Sequence, residues 1–139
     1  MIKRREEEWK AWYERKTGLE WEENPRYRTY YFADRGLAQF AFTKDMVVLN
    51  QVSGDGRFWK QAAEILARTL CCRHLGTWCI RKIESYMRLF GYEIEYVEEL
   101  DGGLKRYHCR NKATGQAGLA SPSFVTKAGK LGYMITWTI

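Results

Sequence analysis

The stretch from Met46 to Leu70 constrains this chain more than any other. Met46-Val47-Val48-Leu49-Asn50-Gln51-Val52 is a nearly continuous apolar run, the pattern of a strand buried on both faces. It enters Ser53-Gly54-Asp55-Gly56, and beyond that turn Phe58, Ala62, Ile65, Leu66 and Leu70 recur at helical spacing up to about Arg73. A buried strand that passes through glycines into a helix is a physical device for holding phosphates. Glycine lets the backbone turn tightly and approach a ligand, and the unpaired N–H groups and dipole of the first helical turn face the anion. Arg57, just after the turn, adds a positive charge. Alone, G-x-G before a helix also serves as a plain strand-to-helix turn, so its weight comes from the order of elements around it.

Before the turn, residues 2 to 16 set Ile2, Trp9, Trp12 and Tyr13 near one face among many charges, predicting an amphipathic helix that ends ahead of Thr17-Gly18. Aromatic and β-branched residues dominate Tyr27-Arg28-Thr29-Tyr30-Tyr31-Phe32, a strand, and Asp34-Arg35-Gly36 makes a turn. Leu37 to Phe42 reads as a second strand, Thr43-Lys44-Asp45 as a turn and Met46 to Val52 as the third strand of an antiparallel meander. After the helix, residues 75 to 80 predict a short buried strand. Ile83, Tyr86, Met87 and Phe90 mark a second helix face that stops at Gly91, and Tyr92 to Val97 alternates as a strand. The order is β-β-β-α-β-α-β, an α+β domain with a mixed sheet and helices packed on it. Beyond Asp101-Gly102-Gly103, a turn, Leu104 to Cys109 has strand character, residues 110 to 130 read mostly as loop, and Leu131 to Ile139 is a final strand.

A length of 139 residues predicts one domain, here an N-terminal helical segment over 1–24, a core over 26–100 and a basic loop with a last strand over 101–139. With 45% hydrophobic and 29% charged residues the chain is neither disordered nor fibrous, and its 15% aromatic content supplies a large apolar area for a small core. No apolar run approaches the roughly 20 residues that cross a bilayer, and no apolar segment follows the charged N-terminus. Cys71, Cys72, Cys79 and Cys109 form no C-x-x-C pair and fit neither a disulfide ladder nor, with His74, a zinc site, so the expectation is free thiols, no metal and a cytoplasmic location.

The chain carries a net charge of +6. Residues 1 to 24 hold six Lys or Arg and seven Asp or Glu, so the surplus belongs to the body of the domain, where it favours a polyanionic ligand.

With Gln51, Gly54 and Gly56 in place between a buried strand and a helix, the sequence resembles the GCN5-related N-acetyltransferase family. That family's signature is Gln or Arg, two residues, Gly, one residue, then Gly or Ala; Gly91-Tyr92 stands where the family has Gly-Phe. The resemblance spans roughly residues 26 to 100. It implies acetyl-CoA as cofactor, with the pyrophosphate on the amides of Val52, Ser53, Gly54, Asp55, Gly56 and Arg57. The pantetheine arm would pair with the strand end from Leu49 to Gln51, filling a splay beside residues 77 to 80. The implied reaction is direct attack of an amine acceptor on the thioester.

Two departures stand out. The family's tyrosine acid falls at Met87 in this chain, which leaves Tyr86, one place earlier, as the candidate acid. Asp45 and Glu84 are candidate bases, and Cys79 reads as a buried filler. The family's extra strand and helix before the meander are missing, so the acceptor is not specified. A homodimer is kept open as a partner.

The alternative function comes from residues 101 to 130. Lys105, Arg106, Arg110, Lys112, Lys127 and Lys130 face a single acid, Asp101, and Tyr107, His108 and Phe124 lie among them, a composition suited to nucleic-acid binding. Under this reading the chain is a binding module of the same fold without acetyltransferase activity, or a relative of the kind that modifies bases in viral DNA.

Overall fold

The computed structural model describes residues 2–139, and among them lie three α-helices and eight strands in an α+β arrangement. The chain divides into two compact units, the first running to Cys72 and the second comprising Arg73–Ile139.

The first unit opens with helix α1, Glu6–Thr17. Glu6, Glu7 and Glu8 fill its first turn and Arg15 and Lys16 its last, matching the helix dipole at both ends, and Gly18 closes it in the left-handed region with its N–H on the Glu14 carbonyl at 2.9 Å. The helix starts later than periodicity predicts: Ile2 lies outside it and is 63% exposed. Strands β1 (Arg28–Phe32), β2 (Gly36–Phe42) and β3 (Met46–Gly54) follow, β1 antiparallel to β2 and β2 antiparallel to β3, with a register shift between Gln39 and Phe40. Trp9 and Tyr13 of α1 form a buried cluster with Trp21 and Leu37. Helix α2, Gly56–Thr69, brings Trp59, 1% exposed, against Phe40 and Phe32.

The second unit is an antiparallel sheet of five strands, β4 (His74–Cys79), β5 (Tyr92–Glu99), β6 (Lys105–Asn111), β7 (Ala117–Val125) and β8 (Leu131–Thr138), in the order β4-β8-β7-β6-β5. Helix α3, Ile83–Leu89, buries Ile83 and Met87, and Gly91 follows at φ +82° with its N–H on the Arg88 carbonyl.

The loop expected over residues 110 to 130 is instead a strand between two tight turns. Asn111 Oδ1 accepts from the amides of Ala113 and Thr114 in the first, and the Thr126 amide donates to the Lys130 carbonyl in the second. β7 escapes propensity reasoning because packing chose its residues. A Cβ at Gly118 would meet Met87 at 3.0 Å and the Tyr92 ring at 3.2 Å, and Pro122 sits where the pairing with β8 shifts register. Gly132, opposite Phe124, leaves room for that ring to lie across β8.

No helix among the described residues is long and apolar enough to cross a membrane. Cys71 is exposed, whereas Cys72, Cys79 and Cys109 are buried. Burial pushes the Cys109 thiol up to about 11 and raises that of Cys79, so both stay protonated and unreactive at neutral pH. The native protein is therefore expected to take up one equivalent of a thiol reagent rapidly at pH 8 and the remaining three only on denaturation; fast labelling of three or four native thiols would contradict this burial.

Candidate functional site

β3 reaches the turn in register with β2: Ala38 lies opposite Val52, Leu37 opposite Ser53 and Gly36 opposite Gly54. Leu49 is 4% exposed. Gly54 has φ +109°, and a Cβ there would meet the Arg35 carbonyl oxygen at 2.5 Å. Its need for glycine therefore comes from the backbone of the β1–β2 turn and of Gly36, the first residue of β2. The Asp55 amide donates to the same Arg35 carbonyl at 2.9 Å, and so does the Trp59 indole at 3.1 Å, which ties the start of α2 to the β1–β2 turn.

Gln51 also has a structural task. Its side-chain amide nitrogen donates to the Tyr13 hydroxyl and the Glu20 carbonyl, both at 2.9 Å, and its oxygen accepts from the Glu22 amide at 2.8 Å. Ser53, fully buried, donates its hydroxyl to the Trp9 carbonyl at 2.5 Å. These two β3 side chains hold α1 and the segment after it.

Asp55 caps α2: one carboxylate oxygen accepts from the Phe58 amide at 3.1 Å and the other pairs with Arg35 at 2.7 Å. The Phe58 amide, and after it the Arg35 guanidinium, hold the carboxyl below its ordinary range, so it is an anion at neutral pH. The helix N-terminus thus has a negative group on donors a phosphate would use. Two cations flank it, Arg35 and the exposed Arg57; the Arg35 guanidinium lies 5.1 Å from the centre of the Phe58 ring. Sequence reasoning placed Arg35 in a turn and missed its position beside the glycines. The signal was available in the meander, because pairing β2 to β3 sets the start of one against the end of the other.

The remaining candidates lie in the second unit, apart from Asp45, which is exposed in the β2–β3 turn. Tyr86 on α3 shares a hydrogen bond with Thr77 and packs edge-on against Phe90, 5.1 Å between ring centres; burial pushes its phenol well above the ordinary value. Such a phenol keeps its proton through the neutral range and gives it up reluctantly. Glu84 is hydrogen-bonded with Tyr107, and Cys79 Sγ accepts from the Arg81 amide at 3.3 Å.

Three of the tail's six lysines and arginines, together with His108, have partners on β5. Arg106 and His108 both bind Glu98, at 3.2 and 2.9 Å, Arg110 binds Glu95 at 3.3 Å and Lys112 binds Glu93 at 2.9 Å. Tyr96 stacks on His108 with ring centres 4.1 Å apart. Residues 92 to 112 contain five acids and four Lys or Arg, so this hairpin is nearly neutral although its second strand is basic. A groove of about 380 Å³ on the five-stranded sheet is lined by His74, Tyr96, His108, Arg110, Leu119 and Thr136, among others.

No known protein family, curated protein or solved structure matches this chain.

Proposed function

We propose that the chain is a coenzyme A-dependent N-acyltransferase that passes an acetyl group directly from the thioester to an amine. One observation carries this reading: buried β3 runs through Gly54 into the N-terminus of a 14-residue amphipathic helix, with two antiparallel strands before it and β4, α3 and β5 after it. This order of elements, the one the resemblance implies, is what supports the reading. The pyrophosphate would lie on the amides opening α2, with Arg35 and Arg57 neutralising its charge. Asp55 is then the ligand's stand-in: its carboxylate gives up the Phe58 amide and its Arg35 partner turns to the phosphate. A neutral amine attacks the thioester carbonyl carbon and the C–S bond breaks; the nitrogen gives its proton to solvent and the departing thiolate takes one from solvent, given how firmly Tyr86 holds its own. The pairing of Arg106, His108, Arg110 and Lys112 with glutamates weighs against a nucleic-acid surface on β6.

Calorimetric titration with acetyl-CoA tests the reading. Saturable micromolar binding is expected, and Asp55→Asn, which keeps an oxygen acceptor at the cap but removes its charge, should tighten it roughly fivefold at low salt, with the gain shrinking as salt rises. Arg57→Glu should weaken it by a similar factor. Absence of binding up to millimolar cofactor would overturn the proposal.

A further inference from the structure

β1 is the outer strand of the first unit: it pairs with β2, and no other strand pairs with it among the described residues, the Arg4 amide and the Trp9 indole reaching only the Ala33 carbonyl just past its end, at 2.8 and 3.0 Å. All five of its residues are exposed, and Tyr30, Tyr31 and Phe32 form an aromatic block that is 38, 40 and 51% exposed. A bare edge offers unpaired N–H and C=O groups to any passing strand, and folded proteins blunt such edges with charged residues, proline or a bulge. β1 has no proline, its one charge, Arg28, stands at its first residue, and the register shift of the first unit lies between β2 and β3. Its rings are held in place: Tyr30 packs edge-on to Phe40 at 5.3 Å, Phe32 lies 5.7 Å from Phe58, and the Tyr31 hydroxyl donates to the Arg4 carbonyl at 2.6 Å. An ordered, exposed aromatic edge gives a partner strand a preformed surface.

We infer that this edge joins two copies of the chain, β1 pairing antiparallel with β1 of a second copy across a two-fold axis at Tyr30. Charge selects this occupant and this direction. Arg26 and Arg28 precede the aromatic block and Asp34 follows it, so in antiparallel self-pairing the basic end of each strand meets the end of the other that carries Asp34. Tyr30 then lies opposite Tyr30 and Arg28 opposite Phe32, on the same face, where a guanidinium over a ring is favourable. Parallel self-pairing in register would set Arg28 against Arg28. The antiparallel contact is isologous and uses up both edges, so assembly stops at two.

Sedimentation velocity on the full chain across a range of concentrations is expected to show a reversible monomer–dimer equilibrium. Tyr30→Lys, which places two like charges on the axis, should weaken it at least tenfold, with circular dichroism confirming the fold. In a Cys71→Ser background, Tyr30→Cys should form a covalent dimer under mild oxidation, because opposite residues in such a pair sit about 4.5–5.5 Å apart. Thr29→Cys, which faces Tyr31 of the other copy, should not. A monomer up to about 100 μM, a dimer that survives Tyr30→Lys unchanged, or equal cross-linking through Thr29→Cys would each overturn the inference.

Discussion

Gly36→Ala is expected to abolish folding of the first unit, with no cooperative urea transition and loss of the native near-ultraviolet signal of its tryptophans. A Cβ at position 36 would lie 1.8 Å from the Ser53 carbonyl oxygen, and the backbone there has φ +112°. The obstacle is the backbone of β3, so relief requires separating β2 from β3 at the point where Ser53 grips α1. Strain and lost pairing together come to more than about 4 kcal/mol, a large share of the stability of a small domain. Gly18→Ala is the matched control. Its φ is +72°, but a Cβ there meets nothing within 4 Å, so only the left-handed conformation is penalised, at about 1 kcal/mol. Equal stability of the two variants would show that the close approach of β2 and β3 does not limit this fold.

Gln51→Leu should lower stability by about 3 kcal/mol while leaving side-chain volume nearly unchanged. It removes two donated hydrogen bonds and one accepted one, leaving the Tyr13 hydroxyl, the Glu20 carbonyl and the Glu22 amide without that partner. Each polar group so abandoned in a part-buried site costs about 1–3 kcal/mol, offset in part by water reaching the less buried of them. Because all three partners belong to the N-terminal segment, early proteolytic cleavage between residues 14 and 24 should accompany the loss. A variant with wild-type urea midpoint and protease resistance would mean that Gln51 does not anchor this segment.

Gln51 and Gly54 also show what a motif can and cannot say. Spacing alone placed both in a phosphate-binding signature, yet each has an explanation inside the fold, one as the clamp on α1 and the other as the point where the backbone of Arg35 and Gly36 passes too close for a side chain. Their replacement tests folding rather than cofactor binding. The residues free to report on a ligand are Gly56 and Arg57, with Asp55 as the competing anion.

The β3-to-α2 passage was legible because a long apolar run and two glycines leave few alternatives. β7 was not, because Ala117, Gly118, Ala120 and Ser121 have little strand propensity of their own and fit there through contacts, such as Met87 and Tyr92 over Gly118, that no local window contains. The tail's charge balance was not legible for a related reason. Its acids lie on the preceding strand, across a hairpin whose register pairs Glu98 with Arg106, and a count confined to residues 101 to 130 leaves them out.

In the coenzyme A reading the start of α2 receives the cofactor's phosphates. Titrating ¹⁵N-labelled protein with coenzyme A and following the amide resonances tests it most directly. Gly56, Arg57 and Phe58 are expected to shift together along one saturation curve, Phe58 most strongly because its hydrogen bond to Asp55 is exchanged for one to phosphate. Saturable shifts elsewhere with these three amides unmoved, or no shifts at millimolar ligand, would contradict it.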